Sequence, residues 1–426
     1  MAIGDATIVQ RSMSARMFST VTTVALVAVS VGLMLLLLSM KDSGRKSFER
    51  GIGNMHMLIS RDSSPLVSVL NGVFYANPPA NPITWQEFEG LRGSLRFPLV
   101  MIPTQQGDSY RGRPVMATVP EFFTDFEPVQ GEPFEFASGE AFDAPFEVVV
   151  GSEAARAAVL SVGDTINLRH GGPRDPDAHV HDEYDYTVVG ILEPTGSPHD
   201  RALFTDLTSS WTLHAHDRRL QEIGPDAVTT PDDLVDADKL ITGIYGRAIG
   251  RPGSSGPPAY LPQVLVQLRR NPSFVVAEPS GEINRLFEIV GNIDKILIAM
   301  AGAVMASSAI AIMLAMYNSM EQRRRQIALL RVLGASRARI FRLVIVESAL
   351  IGLIGAVLGT LVATVGGVVV AGVLEARLGL VVTPSFGWQL AGAVVGATVG
   401  LAVVAGLVPA IAGYKTSVVR NLRPLG

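Results

Sequence analysis

Four long apolar segments constrain this chain more than any other feature. They cover residues 18–40, 296–317, 344–374 and 388–411 of the 426-residue sequence. Each has the roughly 20 residues that an α-helix needs to cross the hydrocarbon core of a bilayer. Lipid accepts only segments whose backbone polar groups are satisfied internally. We therefore predict an integral membrane protein with four transmembrane α-helices, in keeping with a composition that is 48% hydrophobic and 17% charged.

Charge is distributed unevenly between the segments that join these helices. Residues 41–290 hold 21 Lys and Arg against 34 Asp and Glu, a net charge of −13, whereas the remainder holds 14 against 5, a net charge of +9. The largest basic group is seven arginines within residues 320–342. Because short basic flanks stay in the cytoplasm, we expect both termini and this central loop to be cytoplasmic and the large acidic region to lie outside.

These two patterns divide the chain into nine segments. We predict a cytoplasmic N-terminal segment at 1–17, a first helix at 18–40 that serves as an uncleaved anchor, and an external α+β domain at 41–290. Then follow a second helix at 291–317, a cytoplasmic loop at 318–340 and a third helix at 341–374. A short external loop at 375–387, a fourth helix at 388–411 and a cytoplasmic tail at 412–426 complete the chain.

The external region has the local signals of a mixed domain. We expect strands at 147–150, 165–170 and 185–192, and a helix at 152–160 with Ser152 as its N-cap. The chain has no cysteine, so this domain has neither a disulfide nor a thiolate metal site. Apolar residues at helical spacing from about residue 282 run without a breaker into the second membrane segment. We predict one continuous helix with an external stalk, the alternative being a separate surface helix.

Small residues are concentrated in the third and fourth apolar segments. Residues three or four positions apart lie on one helix face and allow neighbouring helices to approach closely in lipid. This packing could occur within one subunit or across a dimer. The glycines concerned are Gly352, Gly355 and Gly359 in the third segment and Gly392, Gly396 and Gly400 in the fourth.

Several chemistries lack their sequence signatures. The sequence contains neither the GxxxxGK[ST] motif of a P-loop nor the HExxH motif of a zinc protease. The first, second and fourth apolar segments carry no charged residue near their centres, which argues against an ion-coupled carrier. Glu347 is the one acidic residue inside an apolar segment, and we expect it to pair with a basic residue near the cytoplasmic interface. No nucleic-acid partner is expected.

Residues 321–359 resemble the permease subunits of MacB/FtsX-type ABC transporters, which include LolC and LolE. The shared pattern is a basic helix, then Arg-Val-Leu-Gly-Ala-Ser at 331–336, Ile-Phe at 340–341, Glu347 and the glycines of the third segment. The stretches 147–155, 162–165 and 186–192 resemble the external core of that family, and Pro-Ala at 409–410 and Leu-Arg at 422–423 resemble its ending. The tail has Ser-Val at 417–418 where the family usually has Asp-Pro.

The resemblance implies a four-helix permease that is not itself an enzyme. ATP and Mg²⁺ would be bound by a dimer of a separate ATPase subunit, and the 318–340 loop would dock on it as a coupling helix. Two permease copies, most simply a homodimer, would transmit ATPase motion to the periplasmic domains from the bacterial inner membrane. The residues implied in coupling are Arg323, Arg324, Arg325, Arg331, Leu333, Gly334, Ala335 and Ser336.

The same resemblance leaves three activities open. The leading one is export or extraction of an envelope substrate, such as a lipoprotein, peptide, lipid or small hydrophobic molecule, with a periplasmic adaptor or lipoprotein and an outer-membrane duct as further partners. The second is FtsX-like control of a cell-wall hydrolase. The third is sensing of a metal or an antimicrobial. The external region of about 250 residues is larger than FtsX-like chains generally have, which favours transport.

Two groups of external residues have alternative interpretations. Six histidines fall between residues 170 and 216, and they indicate either a solvated polar loop or a zinc site. The metal-binding candidates are His179, His181, His214 and His216. Seven phenylalanines between residues 122 and 146 alternate with acidic residues. Core packing is the favoured role for these rings, and a partner-binding face is the alternative.

Overall fold

The computed structural model describes residues 5–79, 81–171, 183–224, 228–251, 256–378 and 386–415. They form two compact units. The membrane unit comprises the described parts of Met1–Gly44, Val290–Leu374 and Val382–Gly426. The extramembrane domain comprises the described parts of Arg45–Ile289 and Glu375–Val381.

The described residues contain these α-helices: α1 Asp5–Ser14, α2 Met17–Ile52, α3 Pro65–Gly72, α4 Trp85–Ser94, α5 Phe122–Asp125, α6 Ser152–Ala158, α7 Leu207–Ile223, α8 Leu261–Arg269, α9 Pro279–Gln322, α10 Arg324–Val332, α11 Arg337–Leu378 and α12 Trp388–Tyr414. They contain these strands: β1 Met57–Ser60, β2 Ile83–Thr84, β3 Leu99–Tyr110, β4 Arg113–Thr118, β5 Phe136–Gly139, β6 Glu147–Val150, β7 Thr165–Ile166, β8 Arg169–His170, β9 Tyr186–Leu192, β10 Leu203–Asp206, β11 Leu240–Ile241, β12 Gly243–Ala248 and β13 Val275–Ala277.

Four helices are long and apolar enough to cross a membrane. Their candidate spans are Met17–Lys41 of α2, Lys295–Gln322 of α9, Arg337–Val373 of α11 and Trp388–Tyr414 of α12. The predicted four-helix arrangement, with a large domain between the first and second spans, is confirmed. A buried apolar cluster with members from α2, α9, α11 and α12 holds the membrane unit together, and Val31, Leu35 and Ala356 in it are fully buried.

The connection predicted at 318–340 contains more helix than loop. α9 continues to Gln322, the nine-residue α10 follows at once, and α11 begins at Arg337. At its other end, α9 begins at Pro279, directly after β13. The amphipathic stretch from about residue 282 and the second apolar segment therefore belong to one helix of 44 residues.

The extramembrane domain is built on a mixed sheet of eleven strands. Its main order is β13-β1-β12-β3-β4-β10-β6-β9-β5, with β7 paired to β9 and β8 paired to β3. The pairs β4–β10 and β6–β9 are parallel, and the others are antiparallel. The 12-residue β3 pairs with β12 along its first half and with β4 and β8 along its second. A register shift between Gln106 and Ser109 in the pairing of β3 with β4 marks a bulge, shortly after the end of the pairing with β12.

Aromatic rings fill the largest core of this domain, as the phenylalanine spacing predicts. Five of the seven phenylalanines between residues 122 and 146 are buried in this cluster, and Phe136 packs against it. Phe146 lies instead against a second, β-branched cluster beside Tyr184. The buried rings of the main cluster are Phe122, Phe123, Phe126, Phe134 and Phe142, together with Phe204.

Two local predictions are wrong in detail. Ser152 is the first residue of α6 rather than its cap, and the N-cap is Gly151, which has no side chain to donate or accept a bond. A Cβ at Gly151 would lie 2.5 Å from the carbonyl oxygens of His199 and Asp200, so close packing excludes a larger cap. The strand predicted at 165–170 is two strands, because β7 pairs with β9 while β8 pairs with β3.

Candidate functional site

The connection between α10 and α11 is fixed by backbone hydrogen bonds. The N–H of Ala335 donates to the carbonyl of Leu330 (2.9 Å), and the N–H of Gly334 donates to that of Arg331 (3.1 Å). This pair of bonds is a Schellman motif, which requires a left-handed residue after the helix. Gly334 supplies it with a φ of +95°. Ser336 then caps α11, because its Oγ accepts the N–H of the third residue of that helix at 3.1 Å.

The helix α10 has one buried and one exposed apolar side. Ile327 is buried in the apolar cluster of the membrane unit, whereas Leu329, Val332 and Leu333 are 53%, 61% and 83% exposed. We call these three exposed residues the α10 face. Their spacing of three and four places them on one side of the helix. Three large apolar side chains exposed together beside basic residues are typical of a surface that binds another protein.

The other predicted coupling residues surround this face. Gly334, Ala335 and Ser336 form the connection itself, so their role within this chain is local and conformational. Arg323 lies between α9 and α10 and points back into the membrane unit. Arg331 belongs to the last turn of α10. The side chains of Arg324 and Arg325 lie outside the described residues.

A short helix before the first span, α1, was not predicted from the sequence. Its first acidic residue, Asp5, forms ion pairs with Arg339 (2.7 Å) and Arg342 at the start of α11. Hydrogen bonds from these two guanidinium groups lower the pKa of Asp5. Val9, one turn further along, is buried. The signals in the sequence are an acidic first turn and apolar residues at 8, 9 and 13, which a short amphipathic helix would show.

Glu347 joins three parts of the membrane unit at one buried carboxylate. Ser12 of α1 donates its hydroxyl to Glu347 Oε1 at 2.6 Å, and Arg16 Nη2 lies 2.9 Å from the same oxygen. Arg323 Nη1 lies 3.7 Å from Oε2 and its Nη2 donates to the Ser12 carbonyl at 2.9 Å. The sequence suggested such pairing but pointed to no specific partner, because Ser12 and Arg16 are more than 300 residues from Glu347 along the chain.

The two glycine groups differ in what surrounds them. A Cβ at Gly352 would lie 2.6 Å from the Cβ of Ala402 in α12. At Gly355 and Gly359, a Cβ would lie 2.6–2.7 Å from atoms of α2. The glycines of α11 are therefore placed where neighbouring helices touch its backbone. Within the described residues, the exposed glycines of α12 have open space around them: Gly392, Gly396 and Gly400.

The structure brings His214 together with two residues outside the predicted metal set. His214 Nε2 lies 3.1 Å from His170 Nδ1 and 3.3 Å from Asp108 Oδ1, and His170 Nδ1 lies 3.2 Å from the same oxygen. Burial would raise the pKa of Asp108, but the two imidazoles hold it well below its usual range. His216 is not part of this group, since it is buried against Thr229 (3.1 Å), and His179 and His181 lie outside the described residues.

Comparison with known proteins agrees with this architecture. Residues 20–279 match the model of the MacB-like periplasmic core domain, and residues 298–418 match that of the FtsX-like permease C-terminal domain. An uncharacterized ABC transporter permease of Methanocaldococcus jannaschii is 30% identical over 139 residues, which are 32% of this chain and 34% of that protein. The chain thus spans about a third of the curated relative it matches.

These matches establish the class of protein. The first model alone covers more than half of the chain, and the second covers the last three membrane helices. The chain belongs to the MacB- and FtsX-like family of ABC transporter permeases, and the resemblance read from its motifs is confirmed. Membership of this family makes it a membrane permease subunit.

Proposed function

We propose that the α10 face is the surface on which a separate ATPase subunit docks, with ATP and Mg²⁺ bound by that subunit. The observation that carries this proposal is the exposure of Leu329, Val332 and Leu333 on a short helix between two membrane spans. Arginines on the same segment would meet acidic groups of the partner and fix its orientation. On the positive-inside rule, this side of the membrane is the cytoplasm.

We further propose that α9 transmits the ATPase motion. Because α10 buries Ile327 in the apolar cluster that also contains Met320 of α9, a displacement of α10 would move the end of α9. The 44 residues of α9 form a helix about 66 Å long, and its other end follows strand β13 of the sheet. A continuous helix with no interior proline is a stiff element for this purpose.

The activity that this transmission would drive is export or extraction of an envelope substrate from the outer side of a bacterial inner membrane. The large sheet domain, rather than a polar pathway between the helices, would handle the substrate. A homodimer is the simplest assembly, and the exposed glycines of α12 are available for close contact with a second copy. A periplasmic adaptor or lipoprotein and an outer-membrane duct would complete the machine.

The test begins with a mild-detergent pull-down of the full chain from its native membrane and identification of its partners by mass spectrometry. The ATPase found there is then co-expressed with wild-type permease or with Leu333→Asp. Each large apolar side chain buried in an interface contributes about 2 kcal/mol, so a charge at this position should weaken ATPase binding at least about tenfold. ATP turnover by the complex in nanodiscs should become insensitive to the permease.

Thr7→Asp is the matched control, because Thr7 is exposed on α1 and the substitution adds the same charge on the same side of the membrane. It should bind the ATPase as the wild type does. Wild-type copurification and turnover with Leu333→Asp would contradict the docking assignment. A pull-down that contains a cell-wall hydrolase instead of an adaptor would move the activity to hydrolase control.

A further inference from the structure

Three side chains from separate elements of the extramembrane domain converge on one point. Asp108 lies on β3 at the bulge, and His170 lies directly opposite it on β8, since the two are register partners. His214 comes from α7, which packs on β3 and β4. Neither strand pairing nor helix packing requires a carboxylate and two imidazoles at this place. We propose that Asp108, His170 and His214 bind a zinc ion whose fourth coordination position is open.

The distances between the three ligand atoms match those of a zinc site. His170 Nδ1, His214 Nε2 and Asp108 Oδ1 form a triangle with sides of 3.1, 3.2 and 3.3 Å. Ligands about 2.05 Å from a tetrahedral zinc ion are separated by about 3.3 Å. A zinc ion at that bond length would therefore stand about 0.9 Å from the plane of these three atoms.

Hydrogen bonds among these three side chains alone cannot satisfy all three ligand atoms with good geometry. The two ring nitrogens face each other at 3.1 Å, and each also faces the same carboxylate oxygen. If both nitrogens carry a proton toward Asp108, the two N–H groups lie side by side and repel each other. A single N–H cannot point at two corners of a nearly equilateral triangle with good geometry. A cation above the three atoms interacts favourably with all of them.

Gln105 provides the supporting contact that metal-binding histidines usually have. Its amide lies 3.0 Å from Nδ1 of His214, the ring nitrogen that points away from the triangle. Gln105 is buried, and its Oε1 has no hydrogen-bond partner within the described part of the chain. Rotating the amide by half a turn would let Oε1 accept the Nδ1–H. That bond would fix the tautomer in which Nε2 is free to bind a metal.

Exposure of the three side chains determines what kind of metal site this is. Asp108 is 5% exposed, whereas the side chains of His214 and His170 are 24% and 42% exposed. The carboxylate therefore forms the floor of the site, and the imidazoles form a rim that solvent reaches. Two nitrogen ligands and one oxygen favour zinc over magnesium or calcium, which prefer oxygen. The open position would hold water or a donor group from a bound molecule.

The test is zinc binding by the full chain in detergent, after treatment with EDTA and removal of the chelator. Titration against a chromogenic zinc indicator should give one saturable site per chain. His170→Ala, His214→Ala and Asp108→Asn should each lower zinc affinity about a hundredfold. Zinc should also raise the thermal unfolding temperature of the wild type, and magnesium should not. Since His170 is partly exposed, its substitution should leave the metal-free unfolding temperature nearly unchanged.

The matched control is the double variant His179→Ala with His181→Ala, which removes the other predicted His-x-His pair and leaves the three ligands unchanged. It should bind zinc within about threefold of the wild type. Absence of a saturable site in the wild type would overturn the proposal. So would undiminished binding by His170→Ala and His214→Ala, or loss of binding in the control, which would assign the metal to the other pair.

Discussion

A buried histidine should make the extramembrane domain sensitive to acid. His199 is fully buried within a 3₁₀ turn, with its Nδ1 2.8 Å from the hydroxyl of Tyr75 and the rings of Phe122 and Phe126 around it. Burial lowers the pKa of this imidazole to about 3. The side chain is therefore neutral in the folded domain at any physiological pH. In mild acid, only the unfolded chain has this imidazole protonated.

The size of the effect follows from the two pKa values. An unfolded histidine has a pKa of about 6.5, so the unfolded state binds more protons than the folded state between about pH 6.5 and 3. The stabilisation is fully present above pH 6.5 and is lost as the pH falls toward 3. Between pH 8 and pH 5 the free energy of unfolding should drop by about 2 kcal/mol from His199 alone. For a domain of this size that is about 4–8 °C in unfolding temperature.

The measurement is thermal unfolding of the full chain in detergent and EDTA at pH 8 and pH 5. Tryptophan fluorescence reports mainly on the extramembrane domain, because two of the three tryptophans, Trp85 and Trp211, lie there edge to face with ring centroids 5.2 Å apart. His199→Phe keeps an aromatic ring in the cluster and cannot titrate. Its unfolding temperature should fall about 4–8 °C less than that of the wild type between the two pH values. Parallel profiles for the two proteins would refute the assigned pKa.

Three further predictions concern the membrane unit. Gly355→Val should destabilise the full chain by about 1–3 kcal/mol, because its Cβ meets Val27 at 2.6 Å, whereas Gly396→Val should not. Thermal unfolding in detergent compares the two variants, and equal effects would contradict the packing. Glu347→Gln removes the negative charge that Arg16 and Arg323 share, so the rate of amide hydrogen exchange in α1 should rise several-fold. An unchanged exchange rate would mean that other contacts hold α1. Gly334→Ala should lower the free energy of unfolding by about 1 kcal/mol, because residue 334 has a left-handed φ. It should weaken stimulation of the ATPase less than Leu333→Asp does. A larger loss in ATPase assays would place Gly334 itself in the interface.

The parts of the fold that the sequence predicts well depend on short-range patterns. A membrane span is recognised from the length and apolarity of one continuous segment, so the four apolar segments predict the positions of four helices. The strand predicted at 147–150 is β6, because a β-branched run between turn residues has few other solutions. The sequence favoured an aromatic core at 122–146 because large aromatic side chains usually dominate the cores of domains, and five of the seven rings are buried there.

Long-range pairing limits what the sequence reveals about sites. Asp108 could not be associated with His170 or His214, since only the register of β3 with β8 and the packing of α7 bring them together. The His-x-His spacing was misleading for His214 and His216, because residues two apart on a helix point to different sides. Two partners of Glu347, Ser12 and Arg16, lie more than 300 residues away along the chain, so no local pattern links them to it.

The contact between α2 and α11 restricts which helices can move relative to each other. Val27 fits against Gly355 and Val31 against Gly359, so two valines four residues apart occupy two notches at the same spacing. Sliding by less than a full turn, about 5.4 Å, would drive valine methyl groups into backbone. The most apolar stretch of α2 has 44% of its residues buried, and that of α9 has only 17%. The pair α2 and α11 is thus held in one register by its two valine–glycine contacts, whereas α9 buries a smaller share of its span within the described residues.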